Sequence, residues 1–538
     1  MTQAILDTAA VDRLATLVEE ATRATRLTPK RFVEPARGTL DRAKSRRHHI
    51  VFGRRGSGKT SMLRKAQADM TLDRKPVAFV DLETYKEHSY PDVLLSVLVA
   101  TFQDFAGWLS SAGLHPSSRR SFWQRFLGAS PTRPPLPKAR VEALRSKLLR
   151  QIDELKALLY AQDDAGLSAK TASSAEVIAS THGSMAVKAL PVEAGIESKG
   201  EVKRAGSVEV IESSRRSKVD FLHRHIMEYQ ALVDELVELA GGDSFVFLDD
   251  LYHLRRPDQA RVVDYFHRIA KGRSLWLKIG TIKHRSEWYR HGEPPIGMKL
   301  GDDCDEIDLD ISLEKYRLAK EFLYKVLDQL VVEAGLTTYR EVLAEGAVDR
   351  LVLVSGGVVR DFLTIFRRSI DHARERGVNV RGPRIGAEDV NAAAGEHDTS
   401  KREELRRDTH EEREALEDAL AKVQAFCIEN KVNVLLVERD RDTSGNRTLG
   451  ELIDLRFLHL AASRVTVRDE PGALFSCFLL DVSQYTGERK RREMELVEFW
   501  TRRGLDKVRR RRYVFRPDTT FLPTSTAAIA LLPAPGSD

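Results

Sequence analysis

The chain has 538 residues, 42% apolar and 31% charged, with a formal net charge of +6. That length accommodates two to four domains and a sizeable core. No apolar run is expected to reach the roughly 20 residues that span a bilayer, and the first residues lack the basic-then-apolar layout of a secretory leader. Cys304, Cys427 and Cys477 lie far apart, which suggests neither a disulfide framework nor a zinc motif and points to a reducing, cytoplasmic setting.

Residues 5–24 place Leu14, Leu17, Val18 and Ala21 at helical spacing, a stripe expected to pack on the domain that follows. His49-Ile-Val-Phe52 suits a buried strand and residues 61–70 suit a helix. Between them Gly53-Arg-Arg-Gly-Ser-Gly-Lys-Thr60 spells G-x-x-x-x-G-K-T, the phosphate-binding loop of nucleoside triphosphatases. Gly53, Gly56 and Gly58 let the backbone bend until several N–H groups face one phosphate chain. Lys59 reaches the β/γ-phosphates, the Thr60 hydroxyl ligates Mg²⁺, and the helix start adds its dipole. The expected nucleotide contacts are therefore Gly53, Arg54, Arg55, Gly56, Ser57, Gly58, Lys59, Thr60 and Ser61.

Residues 76–81 read as a second strand at βαβ spacing, and 90–109 as a helix. From Val141 the apolar positions run Val141, Leu144, Leu148, Ile152, Leu155 and Leu159; Val219, Leu222, Ile226, Tyr229, Val233 and Leu236 repeat the pattern. Two heptad-like helices with a spacer read as an antiparallel coiled-coil insertion over 110–240. Residues 161–220 hold no Phe, Trp or Tyr; a small β-hairpin around Ala205-Gly206 is expected there, the remainder being mobile. The insertion reads either as an arm that senses a protein partner or as a structurally idle projection.

Gly242-Asp-Ser-Phe-Val-Phe-Leu-Asp-Asp250 is a buried strand ending in two carboxylates, a Walker B pattern. Asp249 is placed to hold Mg²⁺, and Asp250 to orient or deprotonate the attacking water. A strand over 274–280 ends at Thr281, a polar tip able to touch the γ-phosphate. Another strand spans 305–310, and a mainly helical region follows to 394. It contains Ser355-Gly-Gly-Val-Val-Arg360 at the head of an amphipathic helix.

With the insertion set aside, residues 32–394 resemble the AAA+ ATPases, most closely those of the origin-recognition and initiator type. The resemblance implies an α/β P-loop NTPase core at 32–310, with a parallel sheet and helices on both faces, and a helical lid at 311–395. It implies ATP as the nucleotide, Thr281 as sensor 1, Arg360 as sensor 2, and Arg285 or Arg290 as the arginine finger of a possible homo-oligomer. The acid usual at position 250 is Glu; Asp250 is one methylene shorter, and paired aspartates are similar to signalling ATPases of the STAND class.

A charged linker or helix is expected at 396–414 and a winged-helix-like domain at 415–516, followed by a tail at 517–538. Within it, 416–427 reads as helix and 433–438 as strand. Residues 448–460 read as a helix capped by Thr448 with Glu451 three residues on, and strands at 464–468 and 473–481 flank a turn. His253, His267, His284 and His459 show no metal spacing and read as core or surface residues. Between Gly487 and Arg516 twelve Lys/Arg stand against five Asp/Glu, leaving the rest of the chain near neutral. That excess points to double-stranded DNA. The expected activity is slow ATP hydrolysis by a switch acting on DNA or a DNA-associated complex. A signalling ATPase with a protein-binding C-terminal domain, and a scaffold that binds ATP without turnover, are the alternatives.

Overall fold

The computed structural model of the chain describes residues 5–23, 30–112, 136–179, 196–408, 413–439, 443–468, 470–486, 494–495, 497, 499–509, 513–517 and 521. Helix α1 (Ala9–Ala21) and the short α2 (Thr39–Ala43) precede the central sheet. Strand β1 (His49–Phe52) leads through the glycine loop into α3 (Lys59–Leu72); β2 (Val77–Asp81) and α4 (Asp92–Ala112) follow. The chain runs out along α5 (Lys138–Ala179) and back along α6 (Ile196–Ala240), then forms β3 (Ser244–Asp249), α7 (Arg256–Ala270) and β4 (Leu275–Thr281). A two-stranded ribbon, β5 (Tyr289–Arg290) with β6 (Ile296–Gly297), precedes β7 (Asp305–Asp308).

Five strands pair in parallel in the order β2-β3-β4-β1-β7. Alternate residues of β3 serve opposite faces, as a strand's period of two requires. Phe245 and Phe247 join Met62, Leu63 and Ala66 of α3 on one face; Val246 and Leu248 join Leu94, Leu98 and Phe266 on the other. The result is the expected α/β P-loop core. Because β4 lies between β1 and β3, the phosphate loop and the paired acids stand on either side of the tip of β4.

One helical segment, Asp92–Ser111 of α4, is long and apolar enough to cross a membrane by length and composition, contrary to the expectation from the sequence. Its residues Val93, Leu94, Leu95, Val97, Leu98, Phe102 and Phe105 are buried in the core between the sheet and the base of α5 and α6.

Helices α5 and α6 are antiparallel, with Lys147 2.6 Å from Glu235 and Gln151 2.8 Å from Glu228. Val141, Leu144, Leu148, Ile152 and Leu155 pack with Tyr229, Val233 and Leu236 in the same cluster as α4, so the base of the insertion belongs to the core. The hairpin expected at Ala205-Gly206 is absent: α6 runs unbroken through those positions. An alternating run of apolar residues there did not outweigh continuity with the helical stripe that follows it. Residues 180–195, expected to be mobile, lie outside the described residues.

The helical region after β7, read from the sequence as a lid, comprises α8 (Tyr316–Ala334), α9 (Glu345–Ser355), α10 (Val359–Arg376), the short α11 (Val378–Arg381) and α12 (Ala387–Asp408), the last running on through the stretch expected as a charged linker or helix. Helix α1, expected to pack on the ATPase core, packs on these helices, Val11, Leu14 and Val18 sharing a cluster with Leu323, Leu327 and Phe366. The C-terminal region has α13 (Arg413–Glu429), β8 (Val434–Glu438), α14 (Ser444–Asp454), β9 (Leu458–Thr466), β10 (Leu474–Leu480) and α15 (Arg502–Val508). Its antiparallel sheet has the order β8-β10-β9. The helix expected at 448–460 is displaced. Thr443, not Thr448, caps α14, its hydroxyl accepting from Asn446 N at 3.2 Å. Thr448 Oγ1 instead donates to Ser444 O at 3.0 Å, and Arg456, at φ +67°, ends the helical course before β9 begins. The strand expected at 464–468 accordingly starts six residues earlier. The lid and this sheet share one apolar cluster, in which Leu351, Phe362 and Phe366 meet Leu436, Phe475 and Leu479.

Two histidines at the start of β1 give the fold a pH dependence. Burial, reinforced by the charges of His267 and Lys278 respectively, pushes His48 down to about 4 and His49 down to about 3. His48 Nδ1 accepts from Leu277 N at 3.1 Å, which requires it to be unprotonated. Unfolded histidines take up protons near 6.5, so from there down to about 4 the unfolded chain binds more protons and stability falls with pH. Going from pH 7 to pH 5 should cost about 4 kcal/mol for the two together. Urea unfolding at both values measures it; an unchanged midpoint would mean that the rings are charged in the fold.

Candidate nucleotide site

The loop after β1 meets α3 head-on. Gly56 (φ +86°) and Gly58 (φ +101°) occupy the left-handed region, and α3 starts at Lys59. Its first N–H groups have no carbonyl one turn back, which leaves donors and a positive dipole end for an anion. Lys59 is 5% exposed, and its Nζ rests on the carbonyls of Gly53 (2.8 Å) and Arg54 (3.4 Å). Ser57 Oγ is buried without a hydrogen-bond partner among the described residues.

Asp249 is fully buried at the end of β3 and hydrogen-bonded to the Thr60 side chain. Burial, then the neighbouring charge of Asp250, raises its carboxyl above the ordinary range. A desolvated carboxylate beside a hydroxyl suits a hard dication, whose charge would restore ionisation. Thr60 and Asp249 are thus the residues that would hold Mg²⁺. Asp250 follows with a left-handed backbone, φ +56°.

Lys59, Thr60, Ser61, Asp250, Tyr252 and Glu83 line a cleft of 140 Å³, closed on the far side by Arg360 and Thr22. Through Ala21, Gly58, Ser61 and Val359 it continues into an apolar pocket of 70 Å³, lined by Phe32, Val33, Leu309, Phe322, Val326 and Leu363. A polar groove at the phosphate loop that opens into a mainly apolar pocket suits a nucleotide, its phosphates in the groove and its base in the pocket. The pocket's residues were not anticipated from the sequence, because single apolar side chains from four segments carry no motif. Both volumes are small beside the roughly 300 Å³ or more of ligand pockets.

The structure brings Arg360 to the cleft. Its backbone N donates to Gly56 O at 3.2 Å and its Nε to Thr22 O at 3.2 Å. A Cβ on Gly56 would stand 2.6 Å from Arg360 Cβ, so only glycine permits this approach. Thr281 ends β4 but does not line the cleft: its hydroxyl is buried and paired with the hydroxyl of Ser286. Arg290 pairs with Glu287 at 2.6 Å, whereas Arg285 lies 5.9 Å from the ring of Tyr252 at the cleft wall.

Arg54 and Arg55 do more than line the loop. Arg54, 4% exposed, donates to Gly356 O at 3.0 Å and meets His459 Nδ1 at 3.0 Å, while its backbone N donates to Asp310. Gly356 (φ +57°) lies so close to the His459 ring that any Cβ would collide with it. His459 Nε2 faces Asp481 at 2.7 Å, and Asp481 accepts from Lys401 at 2.8 Å. Lys401 stands 3.6 Å from Asp361, which accepts from Arg456 Nη1 at 2.7 Å, and the same Nη1 reaches Arg55 O at 3.4 Å. Burial alone would raise Asp361 and Asp481, but the surrounding cations hold both well below the usual carboxylate range. A buried ring of charges therefore links the phosphate loop, the lid and the C-terminal sheet. His459, read from the sequence as a core or surface residue, is buried and stands between Arg54 and Asp481.

Helix α14 is docked on the core. Asp454 accepts from His284 N at 2.8 Å, Gly450 lies against the His284 ring, and Glu451 stands 3.9 Å from Arg256. Among the described C-terminal basic residues, Lys507 pairs with Glu495, Arg509 with Asp506, and Arg516 with Glu470 and Glu438. The clusters Arg489–Arg492 and Arg510–Arg512 lie outside the described residues.

The chain is similar to three solved structures. An Aeropyrum pernix Orc1 protein in complex with DNA shares 15% identity over 84% of this chain and 90% of that one, with a TM-score of 0.33. The Walker-type ATPase paby2304 of Pyrococcus abyssi shares 12% over 83% and 92%, with 0.37. Cdc6p from Pyrobaculum aerophilum shares 13% over 80% and 84%, with 0.28. No protein-family model matches the chain, and no curated protein matches it.

Proposed function

We propose that the protein is an ATP-binding and slowly ATP-hydrolysing molecular switch of the AAA+ type, with Mg²⁺ held by Thr60 and Asp249. The observation that carries this reading is the charged ring running from Arg54 and Arg55 through Asp361 to His459 and Asp481. Phosphates entering the cleft must draw Lys59 off the carbonyls of Gly53 and Arg54 and displace the lid at Arg360. Either movement disturbs the bonds that hold the C-terminal domain. Amide hydrogen exchange of β9 and α14 with and without Mg²⁺-ATP tests this. Exchange should change in the wild type and stay constant in Lys59→Ala; identical wild-type traces would overturn the switch.

The target is read first as duplex DNA, on the strength of the basic stretch between Gly487 and Arg516. Binding would be backbone-dominated, weakly specific and steeply salt-dependent, with roughly 0.9 units of slope per phosphate contact. The alternative is a signalling switch whose C-terminal domain meets protein, with Lys507, Arg509 and Arg516 engaged in ion pairs of the same chain. Titration of duplex DNA at two salt concentrations with ATP present separates them. No binding at about 50 mM salt selects the second.

A further inference from the structure

We propose that Glu83 is a second catalytic carboxylate of this cleft and the base that takes the proton of the attacking water. The inference rests on the hydrolytic reading above and adds a residue to it. Strands β2 and β3 pair in register with Asp81 opposite Asp249, so their tips are level. Asp81 caps the turn beyond β2, accepting from Glu83 N at 3.1 Å, and this sets Glu83 beside the acids of β3. One oxygen of Glu83, one of Asp250 and a ring nitrogen of His253 lie within 4.8 Å of one another. Glu83 and Asp250 both line the cleft with Lys59 and Thr60.

The two acids differ in reach and access. Asp250 is the shorter by one methylene, on a left-handed backbone that fixes its direction. Glu83 is the longer, approaches from the neighbouring strand, and is about half exposed, 53% at its side chain, so that water reaches it. His253 Nε2 lies 3.9 Å from it. Asp249, 1% exposed and hydrogen-bonded to Thr60, is the acid assigned above to the cation. A carboxylate in the position of Glu83 supplies what the shortened Asp250 lacks. In the step, the water oxygen bonds to the γ-phosphorus and its proton passes to Glu83. The bond from γ-phosphorus to the bridging oxygen breaks, and its electron pair leaves on ADP; Glu83 then releases the proton to solvent.

Steady-state ATP turnover and ATP affinity of the full chain with Mg²⁺ provide the test, for wild type, Glu83→Gln, Asp250→Asn and the double variant. Glu83→Gln should bind ATP as the wild type does, lose about 100-fold in kcat with KM unchanged, and lose the acid limb of its pH–rate profile. The double variant should be no slower than Glu83→Gln. Wild-type kcat in Glu83→Gln, or a reduced kcat with the acid limb retained, would overturn the role of Glu83 while leaving the hydrolytic site standing. Absence of turnover in the wild type, with and without duplex DNA, would overturn the hydrolytic reading and the proposal together.

Discussion

Replacing Lys59 by Ala should abolish ATP binding, with affinity falling about 100-fold or more. Lys59 is held in a pocket where it is 5% exposed, and its ammonium is aimed along the loop by the carbonyls of Gly53 and Arg54. Phosphate oxygens would replace those carbonyls as acceptors. A hydrogen bond from a charged donor contributes about 1.5–3 kcal/mol, and about 2.8 kcal/mol corresponds to 100-fold. Titration calorimetry with ATP measures the loss. The fold should survive: the hydrogen bonds lost are to backbone carbonyls, and Asp249, the buried acid that feels the Lys59 charge, already lies above the ordinary carboxyl range. Unchanged affinity in Lys59→Ala would remove the nucleotide from this cleft altogether.

Replacing Asp361 by Leu should destabilise the protein by about 3–5 kcal/mol, the effect of stranding buried charge. Asp361 is fully buried against Arg456 at 2.7 Å, His397 at 3.2 Å and Lys401 at 3.6 Å, and Arg456 and Lys401 are themselves almost inaccessible. Removing the acid leaves two cations without their shared partner. The contribution has a definite pH window. Because the folded carboxyl lies below its unfolded value, the stability it lends is present above about pH 4 and is lost only as pH falls further. The ring therefore stays intact over the range where His48 and His49 already weaken the core. Urea unfolding of Asp361→Leu and of Asp361→Asn, which keeps the shape, reads the loss. A change under about 1 kcal/mol in both would mean that the ring is hydrated and adds nothing to the fold.

What was legible in the sequence was local. Gly53 to Thr60 and Ser244 to Asp250 each carry their chemistry within eight residues, and the strands on which they sit are short buried runs with few other conformations open to them. The Gly-Gly-x-x-Arg pattern, Gly356 to Arg360, likewise occupies five residues. What was illegible was distant. Arg54 meets His459 across 405 positions and Arg456 meets Asp361 across 95, and no spacing rule marks such partners. Glu83 carries no motif of its own, because its place beside Asp250 depends on strand order. The misplaced helix near Thr448 had another cause. Thr443 and Thr448 both offer a capping hydroxyl, and the deciding feature was the backbone at Arg456, whose left-handed conformation opens β9 rather than prolonging α14.

Helix α12 has a mechanical consequence. It begins among the lid helices, where Val390 and Ala393 are buried, and ends in the C-terminal cluster at Leu405, with Lys401 fixed to Asp481 on the way. At 1.5 Å per residue its 22 residues form a strut of about 33 Å. A strut anchored at both ends transmits rotation without absorbing it. A lid tilt of about 10°, small for a domain closure, would sweep its far end through roughly 6 Å. That travel exceeds the reach of every bond between α14 and His284 or Arg256. On the switch reading proposed above, such a tilt at the nucleotide cleft would free the face of α14 from the core.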